Sequence, residues 1–432
     1  MTHNFDPSRA GSVPLARRLT TVDATVIGLG SMIGAGVFAV FAPAAATAGV
    51  GMLIGLLIAA AVALLNALSS AQLAAQYPVS GGSYVYGRQR LGEWAGFFAG
   101  WSFVIGKTAS CAAMALTVGY YLVPAAWVKP LAVLAILALA LLNSYGITRT
   151  VGFTKILVAG VFIILGIIIA AGIWGDGEPT LASLDPAMLF QEGWYGILQS
   201  AGLLFFAFAG YARVATLGEE VKNPERAIPR AIISALGVVL IIYLVLGLVA
   251  LVQLGPDTLA QSTEPLVTLV QYAEWFWAVP LVRLGATLAA LGALLALMTG
   301  VSRTMLAMAR NRDLPYWLAT VHPKYQVPRH AEWVLATVVS VLVLSVDLRG
   351  VIGFSSFGVL LYYFITNLAA LSQDSEYRRI PRILAVLGAL ACLGLVVTLP
   401  WESIVIGLVV ILIGVGYRLI RMRIRAAAPP LA

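Results

Sequence analysis

Charge is scarce in this chain of 432 residues: Asp, Glu, Lys and Arg together make up 11% of it, against 60% hydrophobic residues and a mean hydropathy of +0.93. A soluble domain of that balance would precipitate, because it has too little polar surface to cover its apolar bulk. Cysteine is nearly absent. Cys111 and Cys392 both lie in apolar runs, which supports neither a disulfide framework nor a thiolate metal site. His3, His322 and His330 are scattered outside the apolar runs, so neither a metal centre nor a histidine proton relay inside the membrane is expected. Glu219 and Glu220 adjoin rather than face each other and have no histidine or metal-ligand spacing beside them. A catalytic carboxylate pair needs convergent groups, so an enzyme is not expected, nor any cofactor. A cleavable apolar leader is not expected either. Met1 to Leu19 is polar, carries Arg9, Arg17 and Arg18, and lacks a small-residue cleavage site, so residues 1–20 are expected to be a cytosolic tail.

What is present is a succession of apolar runs, each long enough for the roughly 20 helical residues that cross a hydrocarbon core. An all-α membrane protein of about twelve spanning helices is expected, in a lipid bilayer and with no nucleic-acid partner. The first five fall at about Thr21 to Ala48, Gly51 to Ala75, Gly92 to Val123, Trp127 to Tyr145 and Val151 to Trp174, a unit over 21–174. After a polar stretch, five more fall at about Gly193 to Leu217, Ala231 to Leu254, Trp275 to Ala309, Ala331 to Leu348 and Val351 to Leu371, a unit over 193–371. Two further helices lie within 383–420, and 421–432 is a basic tail. With the N-terminus in the cytosol, alternation leaves only Lys129 and Arg349 in the outer loops, while the inner segments hold the remaining clusters of Lys and Arg. That asymmetry follows the positive-inside rule and predicts a multi-pass protein of the cytoplasmic membrane with both termini cytosolic. The basic end of the last helix reads as a marker of that face rather than as a lipid site.

Two of the apolar segments should not stay helical. Gly28 to Phe38 reads GLGSMIGAGVF, with Gly28, Gly30, Gly34 and Gly36, and each glycine costs about 1 kcal/mol relative to alanine inside a helix. The helix that opens the second unit carries a matching run of small residues at Ala207, Ala209, Gly210 and Ala212. Broken backbone cannot face lipid, where its N–H and C=O groups would lack partners. It presents half-helix ends to a protein-lined site, the N–H end suited to a carboxylate and the carbonyl end to an ammonium. Interrupted helices at corresponding places in two halves point to an inverted-repeat transporter with its substrate between them.

Four blocks resemble the amino acid–polyamine–organocation superfamily of permeases: GSMIGAGVF (Gly30 to Phe38), YPVSGGSYVYGRQRLGEWAGF (Tyr77 to Phe97), FFAFAGYARVATLGEEVKNPERAIPRAI (Phe205 to Ile232) and GVSRTMLAMARNRDLP (Gly300 to Pro315). Their order covers nearly the whole chain. The resemblance implies the leucine-transporter-type fold, five plus five helices in inverted repeat with two appended, and secondary transport by alternating access. It implies that backbone N–H groups of Ala35 and Gly36 hold a substrate carboxylate. Carbonyls near Met32 and at Phe206 and Ala209 would hold its ammonium, and Phe206, Ala209, Tyr211 and Ala212 would line the side-chain pocket. Glu219 and Glu220 then read as an inner gate, with Arg18, Arg88 and Arg303 as available partners.

Specificity and coupling rest on three basic residues. Lys107 and Arg213 are the ionisable side chains best placed near mid-membrane, and no acidic residue accompanies them; relatives that take cations often carry one where this chain has Ala212. Neutral or acidic amino acids are therefore expected as substrates. An amine, polyamine or cationic amino acid carrier of the same fold is the alternative, and a non-transporting sensor would share every site residue. Leu288 to Met298 contains no serine or threonine, which argues against sodium dependence and leaves proton coupling or exchange. Lys155 is the fifth-helix lysine that could take a coupling role, although its place near the cytosolic end suits a snorkelling side chain better. Arg283 is expected to snorkel or to pair with Glu274.

Overall fold

The computed structural model describes residues 19–34, 36–77, 81–146, 151–177, 179, 186–215 and 220–427. Among them the chain is helical, and the one β feature is an isolated parallel bridge between Leu19 and Val221. Thr20 starts the first helix with a capping box: its hydroxyl accepts the Asp23 N–H and its own N–H donates to the Asp23 carboxylate. The helix, α1 (Thr21–Met32), stops at Ile33. Beyond the break come α2 (Gly36–Ala39) and α3 (Phe41–Ala48), which the Val40 N–H to Gly36 and Ala44 N–H to Val40 hydrogen bonds join into one bent half-helix. A tight turn at Gly49–Gly51 leads into α4 (Met52–Gln76).

The short helix α5 (Ser83–Leu91) follows and meets α6 (Glu93–Leu122) at Gly92, whose φ of +99° suits glycine. α7 (Val128–Ser144) and α8 (Val151–Trp174) complete the first group. The second opens with α9 (Gly193–Phe208), a 3-10 turn at Ala209–Tyr211, and α10 (Ala212–Ala215). α11 (Pro224–Gln261) begins earlier than its apolar run suggests because Pro224 sits in the first helical turn, where proline's fixed φ is pre-organised. It kinks at Gly255, ahead of Pro256. Then come α12 (Pro265–Tyr272), a short helix that hydropathy alone does not announce, α13 (Val279–Arg310), α14 (Arg329–Ser345), α15 (Leu348–Leu371), α16 (Arg382–Thr398) and α17 (Trp401–Ala427).

Ten segments of the described residues are long and apolar enough to cross a membrane. With α14 and the apolar α16, of 17 residues each, the described residues offer about twelve spans. Burial divides them by role. The apolar window of α6 is 94% buried and makes it the central post, whereas α7 and α17, at 22%, turn leucine and isoleucine outward. α6 approaches α15 closely because both are glycine at the crossing: a Cβ on Gly358 would lie 2.7 Å from the Gly106 Cα. Asn367 of α15 donates to Asn66 of α4 at 2.6 Å and accepts from Ser69 at 2.7 Å, a polar link between the two helices inside the core. Arg283 pairs with Glu264 at 3.0 Å rather than with Glu274, because the turn before α12 carries Glu264 back over α13.

Candidate functional site

The two interruptions lie side by side. A Cβ on Gly36 would come within 2.8 Å of the Ala207 Cα, and one on Gly210 would run into the Ser31 carbonyl. Residues rising through one break therefore meet residues falling through the other, so the broken helices cross antiparallel. Neither glycine can carry a side chain without parting them. Gly34 faces α13 in the same way, with Ala293 as its neighbour.

Hydroxyls from neighbouring helices secure the opened backbone. Tyr243 of α11 donates to the Met32 carbonyl at 2.7 Å and lies 3.4 Å from the Ala207 carbonyl, so one phenol spans both breaks. Tyr121 of α6 donates to the Phe38 carbonyl at 2.9 Å, its ring edge-on to Phe38. Phe208 packs on Tyr243, and Tyr211 stacks on Tyr363 of α15 with ring centroids 5.1 Å apart. Tyr121 and Tyr243 escape a reading of linear motifs, whereas Tyr211 lies within one. The available signal is chemical: a tyrosine in an apolar span must find an acceptor for its hydroxyl.

Met32, Gly36, Phe206, Ala209 and Tyr211 are all buried and gather at this crossing. Ala35 lies outside the described residues, as does the side chain of Ala212. Lys107 joins the group from α6: 5% exposed, it donates through Nζ to the Ala209 carbonyl at 3.3 Å. The carbonyl assigned to a substrate ammonium thus already receives a protein ammonium. Lys155 is elsewhere. Its Nζ is 2.6 Å from Asp23, in the first turn of α1, and the fifth spanning helix presents Val158 to Gly30 instead.

Arg213 is partly buried one turn past the break, in the field of Arg303 and Glu220. Glu219 lies outside the described residues. At Glu220 the backbone makes the contact: its carbonyl accepts the Leu19 N–H at 3.0 Å, and the Lys222 N–H donates to Leu19 at 2.8 Å. The segment entering α1 is thus tied to the segment entering α11. Arg88 takes no part, being paired with Glu93 at 2.7 Å and Asp313 at 3.4 Å.

Paired antiparallel broken helices inside a bundle of about twelve spans are the architecture of a membrane transporter. The chain belongs to the amino acid permease family, whose sequence model matches residues 23–423, and it is accordingly a permease rather than an enzyme. It is 51% identical over 402 residues to an uncharacterized transporter of Mycobacterium tuberculosis, covering 93% of this chain and 90% of that protein. It is 28% identical over 437 residues to the branched-chain amino acid permease BcaP of Bacillus subtilis, covering 94% and 93% of the two chains. With the chloroplastic cationic amino acid transporter 7 of Arabidopsis thaliana it shares 27% identity over 379 residues, covering 82% and 65%.

Proposed function

We propose that this permease is a secondary transporter of neutral or acidic amino acids, working by alternating access in the cytoplasmic membrane and coupled to protons or to exchange. Residues 21–174 and 193–371 are its two inverted units, with the substrate between their opening helices. The antiparallel pair of breaks carries this reading: it sets the N–H end of the α2–α3 half-helix beside the carbonyl end of α9, the two polarities that an amino acid's carboxylate and ammonium require. The names of the relatives, branched-chain for one and cationic for another, point in different directions on the side chain. Lys107, held at the Ala209 carbonyl, supports the neutral or acidic reading over the cationic one. Two unit positive charges 4 Å apart repel by about 4 kcal/mol at an effective dielectric near 20, so a cationic side chain beside Lys107 is strongly disfavoured.

On coupling, α13 offers the first break Ala293 and the Ala289 backbone, and the flanking hydroxyls of Thr287 and Thr299 are spent on carbonyls of their own helix. The stretch of α13 that faces the first break, from Ala289 to Ala293, has no hydroxyl to offer sodium. Counterflow in proteoliposomes across the common amino acids tests the function, with a sodium gradient applied at fixed pH and membrane potential. Saturable exchange of neutral or acidic amino acids without sodium stimulation is expected. Absence of counterflow for every amino acid would sink the reading, and clear sodium stimulation would overturn its coupling.

A further inference from the structure

Two of the sequence blocks, around Tyr84 and Asp313, come together far from the breaks. Arg418 of α17 reaches into the bundle and is 6% exposed; its guanidinium lies 2.5 Å from one Asp313 oxygen and 3.6 Å from Glu93. The other Asp313 oxygen accepts from Tyr84 at 2.8 Å and from Arg88 at 3.4 Å. The Arg418 guanidinium also lies over the Trp94 and Phe97 rings, at 4.7 and 4.8 Å. Its Nε is buried with no hydrogen-bond partner.

Beside this group is a cavity of about 50 Å³, lined by Arg88, Arg312, Arg418 and Arg421 together with Glu93 and Asp313. Four guanidiniums face two carboxylates, and both carboxylates are already engaged by arginine. Arg421 donates to neutral groups, the Leu314 carbonyl at 2.5 Å and the Tyr417 hydroxyl at 3.0 Å. A buried N–H left without an acceptor and an excess of positive charge are both answered by an anion. The volume, several times the 10–15 Å³ that one water needs, has room for a phosphate group. Trp94, beneath the Arg418 guanidinium, and Tyr316, beside Arg312, are exposed, and exposed tryptophan and tyrosine mark the headgroup level of a bilayer.

We propose that this cavity binds the phosphodiester of an anionic phospholipid, fastening α17 to α5 and α13 through the lipid headgroup. Arginine is the residue suited to this chemistry, because its planar fork donates two parallel hydrogen bonds to phosphate oxygens. The basic end of the last helix is then a lipid site as well as a marker of one membrane face.

The test uses the full chain, delipidated in neutral detergent and titrated separately with phosphatidylglycerol, phosphatidylcholine and inorganic phosphate while its melting midpoint is followed. Phosphatidylglycerol should raise the midpoint and phosphatidylcholine should not. The double variant Arg312→Gln, Arg421→Gln, which spares the Asp313–Arg418 pair, should bind phosphatidylglycerol about tenfold more weakly or worse. Arg421→Lys keeps the charge but not the fork and should respond between the wild type and the double variant, which separates loss of an anion site from loss of folding. Equal shifts with both lipids, or an undiminished response in the double variant, would overturn the proposal. An equal shift with inorganic phosphate alone would also overturn it, by showing a soluble anion as the occupant.

Discussion

A lysine ammonium inside a membrane protein persists only where something accepts its protons, and for Lys107 that acceptor is the carbonyl left open by the 3-10 turn at Ala209. The side chain therefore completes the break and also charges the site. Substitution separates the two effects. Lys107→Met preserves length and apolar bulk while removing the charge, so arginine and lysine should inhibit uptake at concentrations at least about tenfold lower than in the wild type. Lys107→Arg should leave them poor inhibitors. Competition uptake in proteoliposomes measures both, and unchanged selectivity in Lys107→Met would remove Lys107 from the specificity argument. At this scale the sequence exposed the lysine but not its partner, because the bond joins residues that lie 102 positions apart. The same distance hid Tyr243, which holds Met32 from 211 positions away. Tyr243→Phe leaves that buried carbonyl without its donor, a loss of about 1–3 kcal/mol, and should lower both the melting midpoint and the maximal transport rate.

Among elements, what was legible is what is local. Clustered glycine and alanine announce a helix that cannot continue, and both breaks stand where the small residues are. The bend at Val40, the short helix α12 and the pairing of Arg283 with Glu264 depend on how segments return across one another, and no local pattern encodes them. Neither does proximity between the breaks, which gives the small residues their second reason to be small. Gly210→Ala would drive a Cβ into the Ser31 backbone, a contact with no flexible side chain to yield. Overpacking of this kind costs about 1–3 kcal/mol, and here it also pushes the half-helices apart. Transport should fall by an order of magnitude or more, with a lower melting midpoint. Gly237→Ala in α11 is the matched control, since nothing lies within 4 Å of the added atom. There alanine gains about 0.5–1 kcal/mol of helix stability, so the midpoint should hold or rise and transport persist. Loss of transport in both variants alike would mean that the crossing has no special sensitivity.

Across the whole molecule, the arrangement of charge and the arrangement of helices give the same account of sidedness. Arg88, Arg90, Arg312, Lys155 and Arg418 lie at helix ends on one rim, and several are held there by Asp374, Asp313 or Asp23. The opposite rim has Lys129, which donates to the Leu344 carbonyl at 2.8 Å, and the exposed Arg349. Basic residues resist translocation far more than acidic ones do, so the crowded rim should be cytosolic. The two native cysteines allow this to be checked without a cysteine-free background, because Cys111 and Cys392 are both fully buried and should not react with a membrane-impermeant maleimide. Lys129 and Lys324 are exposed on opposite rims. In intact cells Lys129→Cys should be labelled and Lys324→Cys should not, and permeabilisation should make the second reactive. The reverse pattern would invert the protein in the membrane, and labelling of both in sealed cells would break the alternation of spans on which the two-unit arrangement depends.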